Sequence, residues 1–172
     1  MITGGTFDPS QLVSIHRQPI YINRVKSVGR VVLLVTCMDS RIYPHEQLGL
    51  GINDTAIIRN AGGAVAEVLT TILACQKFGV RHFMVLKHTD CGGFRLQGRE
   101  IMEHYKAHAK SKPALSAKAV EEVSSEIREF GYGNTPIEEV VLNDVEFLRK
   151  NPLIYEDTVV SGWALDDETG KV

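Results

Sequence analysis

Val31-Val32-Leu33-Leu34-Val35-Thr36-Cys37-Met38-Asp39-Ser40-Arg41 begins with five consecutive apolar residues and ends on a thiol, a carboxylate and a guanidinium. An unbroken apolar run rich in β-branched side chains reads as a strand buried on both faces, since a half-exposed strand would alternate. Such strands belong to parallel sheets covered on both sides. The design recurs. Thr55-Ala56-Ile57-Ile58 runs into Arg59-Asn60-Ala61-Gly62-Gly63, and His82-Phe83-Met84-Val85-Leu86 into His88-Thr89-Asp90-Cys91-Gly92-Gly93. Thr158-Val159-Val160-Ser161-Gly162-Trp163-Ala164 is a fourth strand candidate.

The segments between these runs read as helices. Ala64 to Phe78 places Val65, Val68, Leu69, Ile72 and Cys75 or Gln76 near one face, with Gly79 as a stop. Arg95 to His108 and the strongly charged Ala114 to Phe130 are two more. Thr135-Pro136-Ile137-Glu138 offers a Thr N-cap and Pro at the first helical position, opening a helix to about Lys150. Strands alternating with helices require crossover connections. The expected fold is therefore α/β, with a mostly parallel central sheet flanked by helices. Asp166 to Lys171 reads as a hairpin turn, closing a C-terminal hairpin region of about 157–172 whose partner strand would lie beyond the last residue.

The 172 residues suit a single domain, 1–172, that opens with a short arm of about 1–30. A net charge of −2 argues against a nucleic-acid or membrane-surface binder. Residues 1–94 carry 9 basic and 6 acidic side chains, so positive charge gathers in the half that holds every cysteine. That suits a site for small anions. No apolar run approaches the roughly 18 residues of a membrane span, and no signal-peptide pattern opens the chain. Three cysteines are too few for a disulfide scaffold and fit a reducing, cytoplasmic setting.

Ligands of parallel α/β sheets collect beyond the C-terminal strand ends, where the three polar clusters would converge. Cys37, His88 and Cys91 then form a Cys₂His set. Two thiolates and an imidazole suit Zn²⁺, and three protein ligands leave a fourth position open, as in catalytic sites. Two small buried thiols and a loop histidine are the bland alternative; strand-end convergence favours the metal. Asp39 and Arg41, two apart, can project to the same side, and an Arg fork holds a carboxylate ionised and oriented. An ordinary loop-capping ion pair is the alternative there. Gly62-Gly63 and Gly92-Gly93 permit close backbone approach ahead of helices, so Gly62, Gly63 and Gly92 are candidate substrate contacts through their N–H groups. Neither pair belongs to a nucleotide-binding glycine motif.

These three blocks, in this order and at this separation, resemble the signature blocks of β-class carbonic anhydrases, closely from Val31 to Gly93 and more weakly from Trp163 to Lys171. The resemblance implies reversible hydration of CO₂ to bicarbonate, with Cys37, His88 and Cys91 on zinc, an Asp39–Arg41 catalytic dyad, and Gly92 N–H near the reacting oxygen. It also implies a homodimer or larger homo-oligomer with sites near the subunit boundary. Some relatives close the site by swinging the aspartate onto zinc, aided by a bicarbonate site with Trp three residues before the first cysteine. Here that residue is Leu34, though Arg59 is present, so the open form is expected and Asp39 is only a conditional fourth ligand. Thr89 and Met38 are further mild departures. Proteins that resemble this one also hydrolyse CS₂ or COS, and a non-catalytic zinc-binding paralogue is a third possibility.

The remaining candidates receive plainer readings. Cys75 is expected in the core, and His104 and His108 on a solvated helix face. His16, His45 and His82 have no visible partner, although His45 sits where it could relay protons. Trp163 is expected to pack.

Overall fold

The apolar runs form four strands: β1 (Val32–Cys37), β2 (Thr55–Asn60), β3 (His82–His88) and β4 (Val159–Leu165). The computed structural model describes residues 32–50, 55–110 and 131–172. The expected arm at 1–30, His16 and the helix at 114–130 lie outside the described residues. The strands are all parallel, in the order β2-β1-β3-β4. β1 leads outward to β2, and the chain then returns to the other side of β1 for β3. The switch point thus lies between β1 and β3, whose last residues are Cys37 and His88. Cys37 pairs with Asn60 and His88 with Leu165, so the strand ends are level along one edge.

β1, β2 and β3 each run two residues past their apolar stretch, because ladder pairing continues into the polar block. One sheet face packs Leu33, Val35, Phe83, Val85 and Val160 against Val65, Ile72, Val141, Val145 and Leu148. The covering helices are α2 (Leu69–Lys77) and α4 (Ile137–Lys150). α4 lies so close to β4 that a Cβ on Gly162 would collide with Val141. The other face gathers Leu34, Ile42, Leu86 and Leu165, with Leu48 and Leu50 from around the short α1 (Pro44–Gln47).

Local corrections have local causes. The helix expected over 64–78 follows a 3₁₀ turn at Ala61–Gly63, opens with a second at Ala66–Val68 and becomes α-helical only at Leu69. Gly62 and Gly63 both have φ near +65° (64° and 66°), a backbone that an α-helix cannot continue through. The helix expected from Arg95 starts at Gly98 (α3, Gly98–Lys110), because residues 92–94 form a 3₁₀ turn held by the Cys91 carbonyl. In α4, Pro136 rather than Thr135 occupies the N-cap and no side chain caps it. Glu138 and Glu139 in its first turn and Arg149 and Lys150 in its last complement the helix dipole instead. The 166–171 turn is present, closed by Gly170 N–H to Asp166 O at 2.8 Å, but no partner strand follows among the described residues. Among those residues no helix is long and apolar enough to cross a membrane.

Candidate metal centre

Cys37 ends β1, His88 ends β3, and Cys91 lies three residues on in the loop that β3 feeds. The strand register therefore assembles all three from positions up to 54 residues apart. All are buried, and their Sγ and imidazole nitrogen atoms lie within 4.8 Å of one another. The Cys37 and Cys91 sulfurs are 3.7 Å apart. Two thiolates sharing a tetrahedral zinc at about 2.3 Å would sit about 3.8 Å apart, so this spacing already suits a common ion.

The imidazole supplies the test of fit. His88 Nδ1 is 2.8 Å from Asp167 Oδ2, which fixes the ring. Its Nε2 is buried with no hydrogen-bond partner. A buried ring nitrogen without a partner is costly, unless it is a lone pair kept for a metal. The thiols tell the same story. Burial pushes Cys91 up to about 11, opposed by the Gly93 N–H and reinforced by Cys37. Ionising Cys91 in that enclosure calls for a nearby cation, and metal binding that displaces its proton provides one. The donor set fits a metal ion.

Asp167 escaped the sequence reading, which placed it in a surface turn. Its Oδ2 also accepts the Asp90 N–H at 2.7 Å, and its own N–H donates to Thr89 Oγ1 at 3.1 Å. One carboxylate thus orients the histidine and braces the loop carrying Cys91.

On the solvent side, Arg41 grips Asp39 with a two-pronged fork: Nε to Oδ1 at 2.9 Å and Nη2 to Oδ2 at 2.7 Å. Arg41 N–H adds a bond to Oδ1 at 2.9 Å. These bonds hold the Asp39 carboxyl well below the usual carboxylate range. Asp39 N–H points at Cys37 Sγ, 3.4 Å away, tying the pair to the thiol edge. Arg59 ties it further, donating to Cys37 O at 3.0 Å and to Asp39 O at 2.5 Å. A polar cavity of about 630 Å³, bounded by Arg41, Asp90, Arg95 and Asp167 among others, opens beside this rim.

Gly62 and Gly63 are placed differently from the candidate glycine at 92. Both are buried, and a Cβ on Gly63 would lie 2.8 Å from the Thr36 carbonyl carbon, one on Gly62 2.8 Å from the Tyr132 hydroxyl. Their carbonyls are taken: Lys87 Nζ donates to Gly63 O at 2.5 Å, and Tyr132 OH to Gly62 O at 2.6 Å. These contacts give the pair a packing reason that sequence alone lacked. Gly92 has open space where a side chain would be. Lys87, also missed, is buried beneath the site, 2.6 Å from Asp144 of α4 and 3.1 Å from Tyr132 OH.

The other candidates fall away from this edge. Cys75 packs partly buried against the core, and His104 and His108 stack on exposed α3 with ring centroids 4.1 Å apart. His45 Nδ1 lies 3.2 Å from Leu50 O and His82 Nε2 2.9 Å from Ser161 Oγ, so both have partners after all. Trp163, expected to pack, is partly exposed and donates to Ser161 Oγ.

A family model described as carbonic anhydrase matches residues 32–172. The chain belongs to the β-carbonic anhydrase family. Carbon disulfide hydrolase of Acidianus sp. (strain A1-3) is 30% identical over 165 residues, spanning 88% of this chain and 81% of that protein. A solved carbonic anhydrase from Glaciozyma antarctica superposes with a TM-score of 0.72 at 30% identity, covering 83% of this chain and 80% of its own. Another, from Streptococcus mutans, gives 0.64 at 34% identity over 81% and 78% of the two chains. The members of this β-carbonic anhydrase family thus include proteins named for two reactions.

Proposed function

We propose that this chain is a zinc enzyme that hydrates CO₂ reversibly to bicarbonate and a proton. The observation that carries the proposal is the buried His88 Nε2 left without a partner beside two thiols 3.7 Å apart, next to the fork-held Asp39. Cys37, His88 and Cys91 would hold the zinc, which would supply the Lewis acidity that makes water a better nucleophile. The protein's residues do the rest. Asp167 keeps the His88 ring in one orientation, with Nε2 as the free donor. Asp39, kept ionised by Arg41, accepts a hydrogen bond from the attacking water and aims its lone pair at carbon. Arg59 fixes the backbone from which Asp39 projects. Gly92, which has open space where a side chain would be, is the glycine whose N–H would meet the reacting oxygen. The proton released passes to buffer. Asp39 remains a conditional fourth metal ligand, restrained from that role by its bonds to Arg41.

A second reading is hydrolysis of CS₂ to CO₂ and two H₂S, and COS likewise. The identity to the Acidianus carbon disulfide hydrolase favours it, and it needs the same attack of water on the carbon of a linear triatomic. The proposal includes a homodimer or larger assembly, for which the exposed Val159 and Trp163 on the sheet edge β4 offer apolar surface. It also includes a reducing cytoplasmic setting, which suits three free thiols.

The test joins metal analysis with stopped-flow CO₂ hydration and sulfide release from CS₂ on the same preparation. About one zinc per chain and fast hydration are expected. Cys37→Ser and Cys91→Ser should each lose most of the metal, while Cys75→Ser keeps it. Sulfide release without CO₂ hydration would replace the first reading by the second. Zinc with neither activity would mark a non-catalytic relative.

A further inference from the structure

Arg41 does not belong to Asp39 alone. Its Nη1 donates to Asp90 Oδ2 at 2.6 Å and its Nη2 to Asp90 O at 2.9 Å. The other Asp90 oxygen takes a short contact from Arg95. Asp39, Arg41, Asp90 and Arg95 therefore form a chain of alternating charges, with the Asp39 carboxylate at one end. Asp90 sits between His88 and Cys91, so its loop carries two of the three metal donors. Its N–H is held by the same Asp167 oxygen that fixes His88. The loop that sets the metal donors thus also sets the guanidinium that sets Asp39.

We propose that Asp90 is a positioning residue, which anchors Arg41 from the side away from Asp39 and so holds the Asp39 carboxylate in register with the metal donors. This inference rests on the function proposed above. An isolated exposed ion pair would contribute little. Here, however, one planar guanidinium is engaged on both sides by carboxylates and by a backbone carbonyl, which removes its freedom to rotate. Without Asp90, Arg41 keeps Asp39 as partner but loses the fixed point against which to hold it. Pair and carboxylate then move together. In a site where catalysis depends on near-attack geometry, such play lowers turnover more than substrate capture. Arg95 acts one step further out, fixing the second Asp90 oxygen from an exposed position, and its effect should be smaller.

The test uses the full chain, zinc-loaded and metal-free, with Asp90→Asn, Asp90→Glu and Arg95→Ala. The first readout needs no turnover: hydrogen exchange of the Arg41 side-chain Nε–H by ¹⁵N NMR, assigned by its loss in Arg41→Lys. Asp90→Asn should speed that exchange about tenfold in both metal states, with Asp90→Glu intermediate. The second readout is kinetic. Asp90→Asn should lower kcat about tenfold with KM nearly unchanged and metal content intact, and Arg95→Ala should lower it about twofold. Unchanged Arg41 exchange and kcat in Asp90→Asn would overturn the proposal. So would loss of metal in that variant, which would make Asp90 a support of the donor loop instead. If the wild-type protein turns over neither CO₂ nor CS₂, the functional reading fails, yet the exchange measurement still decides whether Asp90 anchors Arg41.

Discussion

Lys87 and Arg41 are both cations held near the thiol pair, and they are held in contrasting ways. Lys87 is 1% exposed and its ammonium is enclosed by Asp144, Tyr132 and the carbonyls of Gly62 and Gly63. The Arg41 side chain is 49% exposed and spreads its guanidinium between Asp39 and Asp90 at the rim. Burial pulls the Lys87 ammonium below its ordinary value, and Asp144 pushes back. At Arg41 the surrounding carboxylates only strengthen a charge that solvent already supports. The inner cation is a fastener: it joins β3, the Gly62–Gly63 turn, Tyr132 and α4. The outer one is a solvent-exposed support for a reacting group. Substitutions on the two sides should therefore fail in different currencies, stability within and rate without.

The largest effect should come from the inner side. Lys87→Met removes one partner of a buried ion pair and strands Asp144 and the Gly63 carbonyl, a change of about 3–5 kcal/mol in unfolding free energy. Lys87→Met combined with Asp144→Leu should recover a substantial part of that loss, because no buried charge is then left alone. Urea titrations of the three variants measure it. A loss below about 1 kcal/mol for Lys87→Met, within the range of an exposed pair, would erase the distinction between the sides.

Asp39→Asn is the outer counterpart. The amide keeps the shape but cannot be held as an anion, so CO₂ hydration should fall about 100-fold, near 2.7 kcal/mol in barrier. Zinc content and the urea midpoint should barely move. A variant that lost stability in proportion to rate would show the rim to be structural like the interior.

Glycines repeat the contrast on a smaller scale. Gly63→Ala must place a Cβ 2.8 Å from the Thr36 carbonyl carbon at a φ of 66°, and should lose about 2–3 kcal/mol. Gly92→Ala meets nothing within 4 Å and should stay within about 0.5 kcal/mol. If its N–H serves the reacting oxygen, rate should survive this change too, since the backbone donor is retained.

The two sides also differ in how far the sequence disclosed them. The strands and the convergence of Cys37, Asp39, Arg41, His88 and Cys91 were readable because each apolar run feeds directly into its polar block. Parallel pairing then does the assembly. Lys87 gave a signal that went unused: a cation inside Phe83-Met84-Val85-Leu86-Lys87-His88, on a strand buried on both faces, must find an anion. Nothing in the sequence says that the anion is Asp144, 57 residues later on a helix. Asp167 was hidden for a related reason. Among the acids of 166–168 it resembles solvated turn chemistry, and only the pairing of His88 with Leu165 brings it behind the imidazole. Helix starts were misplaced where backbone geometry, rather than side-chain pattern, decides them, as where 3₁₀ turns at Ala66–Val68 and Gly92–Phe94 precede the helices that open at Leu69 and Gly98.

The smallest and most discriminating effect is in pH. Asp39 and Asp90 have carboxyls lowered below their ordinary values, first by hydrogen bonds from Arg41. A carboxyl lowered in the folded state favours folding above its unfolded pKa of about 3.9, and loses that advantage as pH falls through the folded value. Between pH 5 and 8 neither group titrates, so the rim's contribution to stability should be flat across that window. Activity should not be flat. Two thiolates cancel the charge of a divalent ion, which weakens its acidifying pull on water relative to three neutral imidazoles, where that water ionises at about 7. Hydration should therefore be low below neutrality and rise through the weakly alkaline range. Urea midpoints and hydration rates measured on the same samples across pH 5–9 separate the two. A rate already maximal at pH 6 would show that the cations at Arg41, Arg59 and Lys87 offset the thiolates. A rate and a stability that decline together on acidification would place the sensitive group in the fold itself, and the inner and outer sides would no longer be separable.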